Sequence, residues 1–175
     1  MSGRVCLRAV YLPIHVVNSI FVAIQLKSTM AETFGMLCDK LTIVKLKQYH
    51  TTDQVRLDSL LLQATQLQEE MDEYLDDAIH GRIDSSRMRF SANKVYKKEG
   101  NEVREIKGNA GELFYQLADV NCRLWHEQEK VYEFETVPVE DKDKVVKQLA
   151  ILNLERNQCI DAINEWLIGY VNQTK

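Results

Sequence analysis

The sequence predicts an all-α protein, an antiparallel bundle of about four helices with a small β-hairpin inserted near residues 87–107. Three observations carry that expectation. Apolar residues recur every three or four positions through four long segments. The 175 residues include only seven glycines and two prolines, which leaves room for long unbroken elements. The helical period stops between residues 82 and 108, where apolar and charged residues alternate around Glu99-Gly100-Asn101, a pattern suited to a two-stranded turn.

The first helix is expected over residues 33–49, from the spacing of Phe34, Leu37, Cys38, Leu41, Val44 and Ile43. Thr51, Thr52 and Asp53 then supply a break and fresh capping side chains. The second helix is the clearest in the chain. Leu57, Leu60, Leu61, Ala64, Leu67, Met71, Tyr74, Leu75 and Ala78 form one stripe, with Gln, Glu and Asp opposite. His80-Gly81 should end it, because glycine accepts the left-handed conformation at a helix terminus. Asn109 followed by Glu112 marks a third start, with the helix running to about Phe134. Pro138 marks the next connection. The fourth helix should begin near Glu140 and turn Val145, Leu149, Leu152, Cys159, Ile163, Trp166 and Tyr170 inward. Short links between long helices give neighbouring antiparallel elements, hence a bundle.

Length and composition fit one domain over residues 30–175. Charged residues make up 27% of the chain and hydrophobic residues 45%, with a net charge of −4. That balance argues against a general nucleic-acid binder. The charge is uneven: residues 82–107 hold eight Lys or Arg against four acids, so that segment is +4 and the remainder −8. Its cations include Arg87, Arg89, Lys94, Lys97, Lys98 and Arg104. A basic flap over an acidic bundle would attract an anion or an acidic partner, and a solvated hairpin closing one end of the bundle is the plainer reading. The cysteines Cys6, Cys38, Cys122 and Cys159 form no CxxC pair, which reads as small core residues in a reducing, cytoplasmic setting.

Residues 1–29 differ from the rest. No formal charge occurs from Ala9 to Leu26, and Arg4 and Arg8 precede the run. This has the outline of a signal peptide or short anchor. Pro13, His15, Asn18, Ser19 and Gln25 dilute it, and a translation start at Met30 is the simpler expectation.

Several polar residues fall where a bundle wants apolar ones. Asn121 lies on the stripe of Leu117, Leu124 and Gln128. Trp125 follows one turn later and Glu129 one turn after that. Asn153, Arg156 and Asn157 interrupt the fourth helix, and Asp39 and Lys40 sit beside Leu41, with Lys47 two turns on. An unpaired buried amide costs about 1–3 kcal/mol, so these groups should either pair with one another or line a site. The first alternative is a network that fixes the register of the bundle. The second is a polar pocket between the first, third and fourth helices for a small anion such as a nucleotide or sugar phosphate, formed by Asp39, Lys40, Lys47, Asn121, Trp125, Glu129, Arg156 and Asn157. Aligning Tyr49-His50 with Trp125-His126 also pairs Leu41 with Leu117 and Val44 with Val120, as two related helical hairpins would. His50 and His126 read as interfacial packing residues, since neither belongs to an H-x-x-x-H or E-x-x-H pair.

Three segments together resemble a family of small, uncharacterised helical proteins of bacteria and tailed phages. These are DKLTIVKLK at 39–47, LADVNCRLWHEQEKV at 117–131 and LAILNLERNQCIDAIN at 149–164. Asp39, Lys40, Leu41, Thr42 and Ile43 match the family's first motif, Asn121, Leu124 and Trp125 its second, and Asn157 its third. Gln128, Gln158 and Cys159 depart from it. The resemblance implies a cytoplasmic helical protein and supplies no catalytic residues. The non-enzymatic expectation is a ligand-binding or interaction protein that self-associates, with Trp166, Ile168 and Tyr170 as exposed candidates. A second resemblance, to all-helical nucleotide pyrophosphohydrolases, rests on Glu69, Glu70 and Glu73 with Asp119. Four carboxylates in such enzymes hold Mg²⁺ against a triphosphate. Here Gln116 stands where such enzymes have a Glu three residues before the Asp, which removes one anionic ligand, and the plainer reading of the EEMDE run is the wet face of an amphipathic helix.

Overall fold

The computed structural model describes residues 31–90 and 103–173. Its elements are α1 (Phe34–Tyr49), α2 (Gln54–Ile79), α3 (Ala110–Tyr132) and α4 (Val139–Gln173), with a 3-10 turn at Ser85–Arg87. Each of the first three helices starts on the residue type its sequence offers. Thr33 accepts from the Met36 N–H at 3.4 Å, and Asp53 accepts from the Arg56 N–H at 3.0 Å. Asn109 and Glu112 close a reciprocal box, at 3.2 and 2.8 Å. These side chains satisfy N–H groups that the first turn of a helix leaves without partners. At the far end of α2, Gly81 adopts φ 70°, the left-handed conformation expected of it.

Long-range contacts set the directions. Gly35 meets Asn164 and Asp39 meets Arg156, so α1 and α4 run antiparallel. Asp39 also meets Asn121, and His50 meets Trp125, so α1 and α3 run the same way. α1 packs against the other three helices, and α3 packs along α4. Leu37, Leu117, Val120, Leu152, Ile163 and Leu167 are fully enclosed; each such side chain contributes about 1.5–3 kcal/mol relative to exposure. The end of the bundle that holds the start of α1 is aromatic. Phe34 contacts Tyr74 and Phe114, whose ring meets Trp166 edge-on. Close approach there depends on Gly35. A Cβ on it would stand 2.4 Å from the Ile160 carbonyl oxygen.

The expected β-hairpin finds no support. Residues 91–102, with Lys94, Lys97, Lys98 and the expected turn at Glu99-Gly100-Asn101, lie outside the described residues. On one side of them is the 3-10 turn containing Arg87, and on the other residues 103–108 run without strand or helix to the α3 cap. The apolar members of the alternating pattern serve one by one. Ile83 and Met88 are buried and Ile106 packs against the core. The Arg104 N–H donates to Glu155 at 3.4 Å instead of to a facing strand.

Two further expectations are corrected. Cys38 and Cys159 are buried, but Cys122 is exposed; Cys6 lies outside the described residues. Ile168 is half-buried against the core rather than exposed; of the two residues expected both on the inward stripe and among the exposed candidates, Trp166 packs against the core and Tyr170 is exposed, stacking on Trp166 at 5.8 Å. Among the described residues no helix is long and apolar enough to cross a membrane.

Candidate functional site

The misplaced polar residues divide between two places. At the first, α1, α3 and α4 meet. Asn121 is 1% exposed and Asp39 8%. The Asn121 amide donates to Asp39 Oδ1 at 2.9 Å and to Thr42 Oγ1 at 2.7 Å. Thr42 donates its own proton to the Asp39 carbonyl oxygen at 2.7 Å, so its hydroxyl is free to accept from Asn121. Both acceptors require the amide nitrogen on that side, which fixes the orientation of Asn121. Arg156 Nε lies 3.6 Å from Asp39 Oδ1 and supplies the compensating charge. Asn121 Oδ1 and Arg156 Nε are buried without a hydrogen-bond partner among the described residues.

Asp39 and Arg156 form one wall of an open cleft of about 440 Å³ between α1, α2 and α4. Lys40 and Lys47 line it from α1, and Gln63, Gln66 and Glu70 from α2; Ile43, Val44 and Leu67 are its apolar contribution. Three cations thus stand over two carboxylates, with two amides that can donate or accept. Lys40 also reaches Glu32. A small, polar, net-negative molecule matches this lining in charge and in hydrogen-bonding capacity. The cleft faces α2 where the sequence reading had placed α3, because Asn121 is sealed beneath Asp39 and Thr42. Asn157 is half-buried on α4 and is not part of the lining.

The second place lies near the other end of α1. The His50 ring stacks on Trp125, 4.7 Å between centroids. The Trp125 indole donates to Glu129 Oε1 at 2.8 Å, and His126 Nδ1 donates to Glu129 Oε2 at 3.2 Å. His50 Nδ1 is 3.9 Å from the same carboxylate. The hydrogen bond from His126, and then that from Trp125, holds the Glu129 carboxyl below the usual glutamate range. Trp125 and Glu129 therefore belong to an α1–α3 clamp and not to the cleft.

Two cations of the basic segment, Arg89 and Arg104, are engaged by acids. Arg89 pairs with Glu165 at 2.5 Å. Arg104 and Arg123 approach Asp119 at 3.6 and 3.7 Å. Arg123 also reaches the buried Glu155 at 3.4 Å. Glu69, Glu70 and Glu73 are exposed on α2. Among the described residues no group of three or more His, Cys, Asp or Glu is arranged to hold a metal ion, so these glutamates and Asp119 do not converge.

Sequence reasoning missed Glu155 and Asn164, both buried on α4. Asn164 Oδ1 accepts the Gly35 N–H at 2.8 Å, satisfying a first-turn donor of α1 from another helix. The signal for it was present, an Asn on the stripe of Ile160, Ile163 and Leu167. Gln63 and Gln66 were invisible as lining residues, since the wet face of α2 carries many such amides. No family model, curated protein or solved structure matches this chain.

Proposed function

We propose that this chain is a non-catalytic binding protein that takes a small anionic ligand, a nucleotide or sugar phosphate, in the cleft between α1, α2 and α4. The observation that carries the reading is the convergence of Lys40, Lys47 and Arg156 from two helices around a cleft that two glutamine amides complete. Arginine and lysine together suit a phosphate: the guanidinium presents a planar fork and the ammonium a compact charge. Asp39 orients Arg156 and limits the net positive charge, which favours a ligand with sugar hydroxyls or a base as well as a phosphate. A volume near 440 Å³ lies in the range of small-molecule sites. The buried, unpaired thiols of Cys38 and Cys159 support a reducing compartment such as the cytoplasm.

The test is a thermal-shift panel of sugar nucleotides, cyclic nucleotides, sugar phosphates and inorganic phosphate on the full chain and on Arg156→Met. At least one compound should raise the melting temperature of the parent in proportion to the logarithm of its concentration, and the variant should lose that response while keeping its helical circular-dichroism spectrum. A panel that leaves the parent unmoved, or moves both proteins alike, contradicts the reading.

A further inference from the structure

The charged groups lining the ligand cleft are unevenly matched. Asp39 meets Arg156 at 3.6 Å, and Lys40 reaches Glu32. Lys47 and Glu70, both exposed, have no ion-pair partner among the described residues. The register of α1 and α2 sets these two apart. The Gln48 side-chain amide donates to the Leu60 carbonyl oxygen at 3.1 Å. The helices run antiparallel from that contact, so Lys47 stands beside Gln63 at one end of the cleft, and Asp39 and Lys40 stand beside Glu70 at the other. Gln63 and Glu70 are seven residues apart on α2, a rise of roughly 10 Å. Between the ends lie Ile43, Gln66 and the buried Leu67. The cleft is therefore bipolar, with an unmatched cation and an amide at one end and an unmatched carboxylate at the other.

We infer that the ligand is the phosphate monoester of an amino sugar, bound with its phosphate on Lys47 and Gln63 and its ammonium on Glu70. The inference rests on the anion-binding reading above and narrows it from nucleotides and sugar phosphates to one class. The phosphate oxygens accept from the Lys47 ammonium and from the Gln63 amide. A neutral hydroxyl at the far end would leave Glu70 without a charge to meet, whereas an ammonium supplies the charge and three donors. The spacing selects what lies between the two charged groups. A span of roughly 10 Å between the helix positions, less the inward reach of the Lys47 and Glu70 side chains, fits one pyranose ring. The ring hydroxyls meet the Gln66 amide and Arg156, and one ring face lies on Ile43 and Leu67. A nucleoside diphosphate would carry its second phosphate toward Glu70 and Asp39, like charge against like.

Isothermal titration calorimetry of the full chain near neutral pH tests it with glucosamine 6-phosphate and glucose 6-phosphate, which differ by one ammonium in place of one hydroxyl. The parent should bind the amino sugar phosphate about fivefold more tightly. Glu70→Gln should bring the two affinities to within about twofold of each other. Lys47→Gln should weaken both compounds by a similar factor, about fivefold, and keep the preference. Both positions are exposed, and circular dichroism checks that each variant keeps its helices. Equal affinity of the parent for the two compounds overturns the inference. So does a preference that survives Glu70→Gln, or a Lys47→Gln protein that binds both compounds as the parent does. Binding of adenosine diphosphate but of neither sugar phosphate overturns it and leaves the anion-binding reading standing. A chain that gives no heat and no thermal shift with any of the three overturns both.

Discussion

The His50 ring lies nearly flat on the Trp125 indole, 4.7 Å between centroids and 20° between planes. Tyr49-His50 and Trp125-His126 are the dipeptides that align when the first and third helical segments are compared, and here they face each other. One stack joins the C-terminal end of α1 to α3, and Glu129 accepts from the Trp125 edge and lies 3.9 Å from the His50 edge. The carboxylate is therefore the hub of a contact between the two helical hairpins.

Acid should loosen that contact. The folded-state pKa of Glu129 is depressed, so its contribution to stability is present above the ordinary glutamate pKa of about 4.3 and is lost as pH falls through the lower folded value. Glu129→Gln should flatten the acid limb of stability measured by urea unfolding against pH. An acid limb unchanged in that variant, or a Glu129 carboxyl titrating by NMR at or above the ordinary value, contradicts the assignment.

Asp39 and Asn121 should be coupled. Asn121→Leu leaves the Asp39 carboxylate buried with Arg156 at 3.6 Å and without its amide donor; the cost is about 2 kcal/mol. Asp39→Leu alone removes the charge that Arg156 faces and should cost a similar amount. The double replacement removes the buried charge and its donor together, so its cost should fall short of the summed single losses by about 1 kcal/mol or more. Additive losses in denaturant unfolding would mean the two residues act separately.

Two glycines should respond in opposite directions. Gly35→Ala drives a Cβ to 2.4 Å from the Ile160 carbonyl oxygen and forces α1 from α4, a loss of about 2–3 kcal/mol. Gly169→Ala meets nothing within 4 Å and should gain about 0.5–1 kcal/mol through helix propensity. Equal effects of the two changes on thermal unfolding would place the helix contact elsewhere.

Much of the fold was legible in the sequence because capping residues and the 3.6-residue period are local signals. Asn109 and Glu112 form the expected box, and Gly81 ends α2 as expected. The meeting of Asp39 with Asn121 was legible too, since a buried amide needs a partner and few were on offer. The separation of Trp125 and Glu129 from Asn121 was not. Their stripe drifts along α3 beyond the last turn of α1, so they meet the His50 cap and not the interior. The alternation around residues 87–107 has no strand behind it among the described residues, for a different reason. Period two describes a strand only when a second strand accepts its hydrogen bonds, and here Arg104 bonds to α4.

The thiols should divide by position. Burial pushes the Cys38 thiol up to about 12 and the Cys159 thiol up to about 11. Iodoacetamide at mildly alkaline pH should label exposed Cys122 and spare both until urea unfolds the chain, because the thiolate is the nucleophile. An unfolded cysteine ionises near pH 8.5, so the unfolded chain loses these protons first, and stability should fall as pH rises from there toward the folded values. Rapid native labelling of Cys38 or Cys159, read by peptide mapping, would contradict their burial.

The ligand cleft is tested most directly by a ¹⁵N-edited NMR titration of the full chain with a nucleoside diphosphate sugar and, separately, inorganic phosphate. The account predicts saturable shifts of the Gln63 and Gln66 side-chain amides and of backbone signals from Lys40 to Lys47, with Val139 and Val146, exposed on α4 outside the cleft, unmoved. Signals at the cleft that stay fixed with both probes, or that move no more than those of Val139 and Val146, would contradict it.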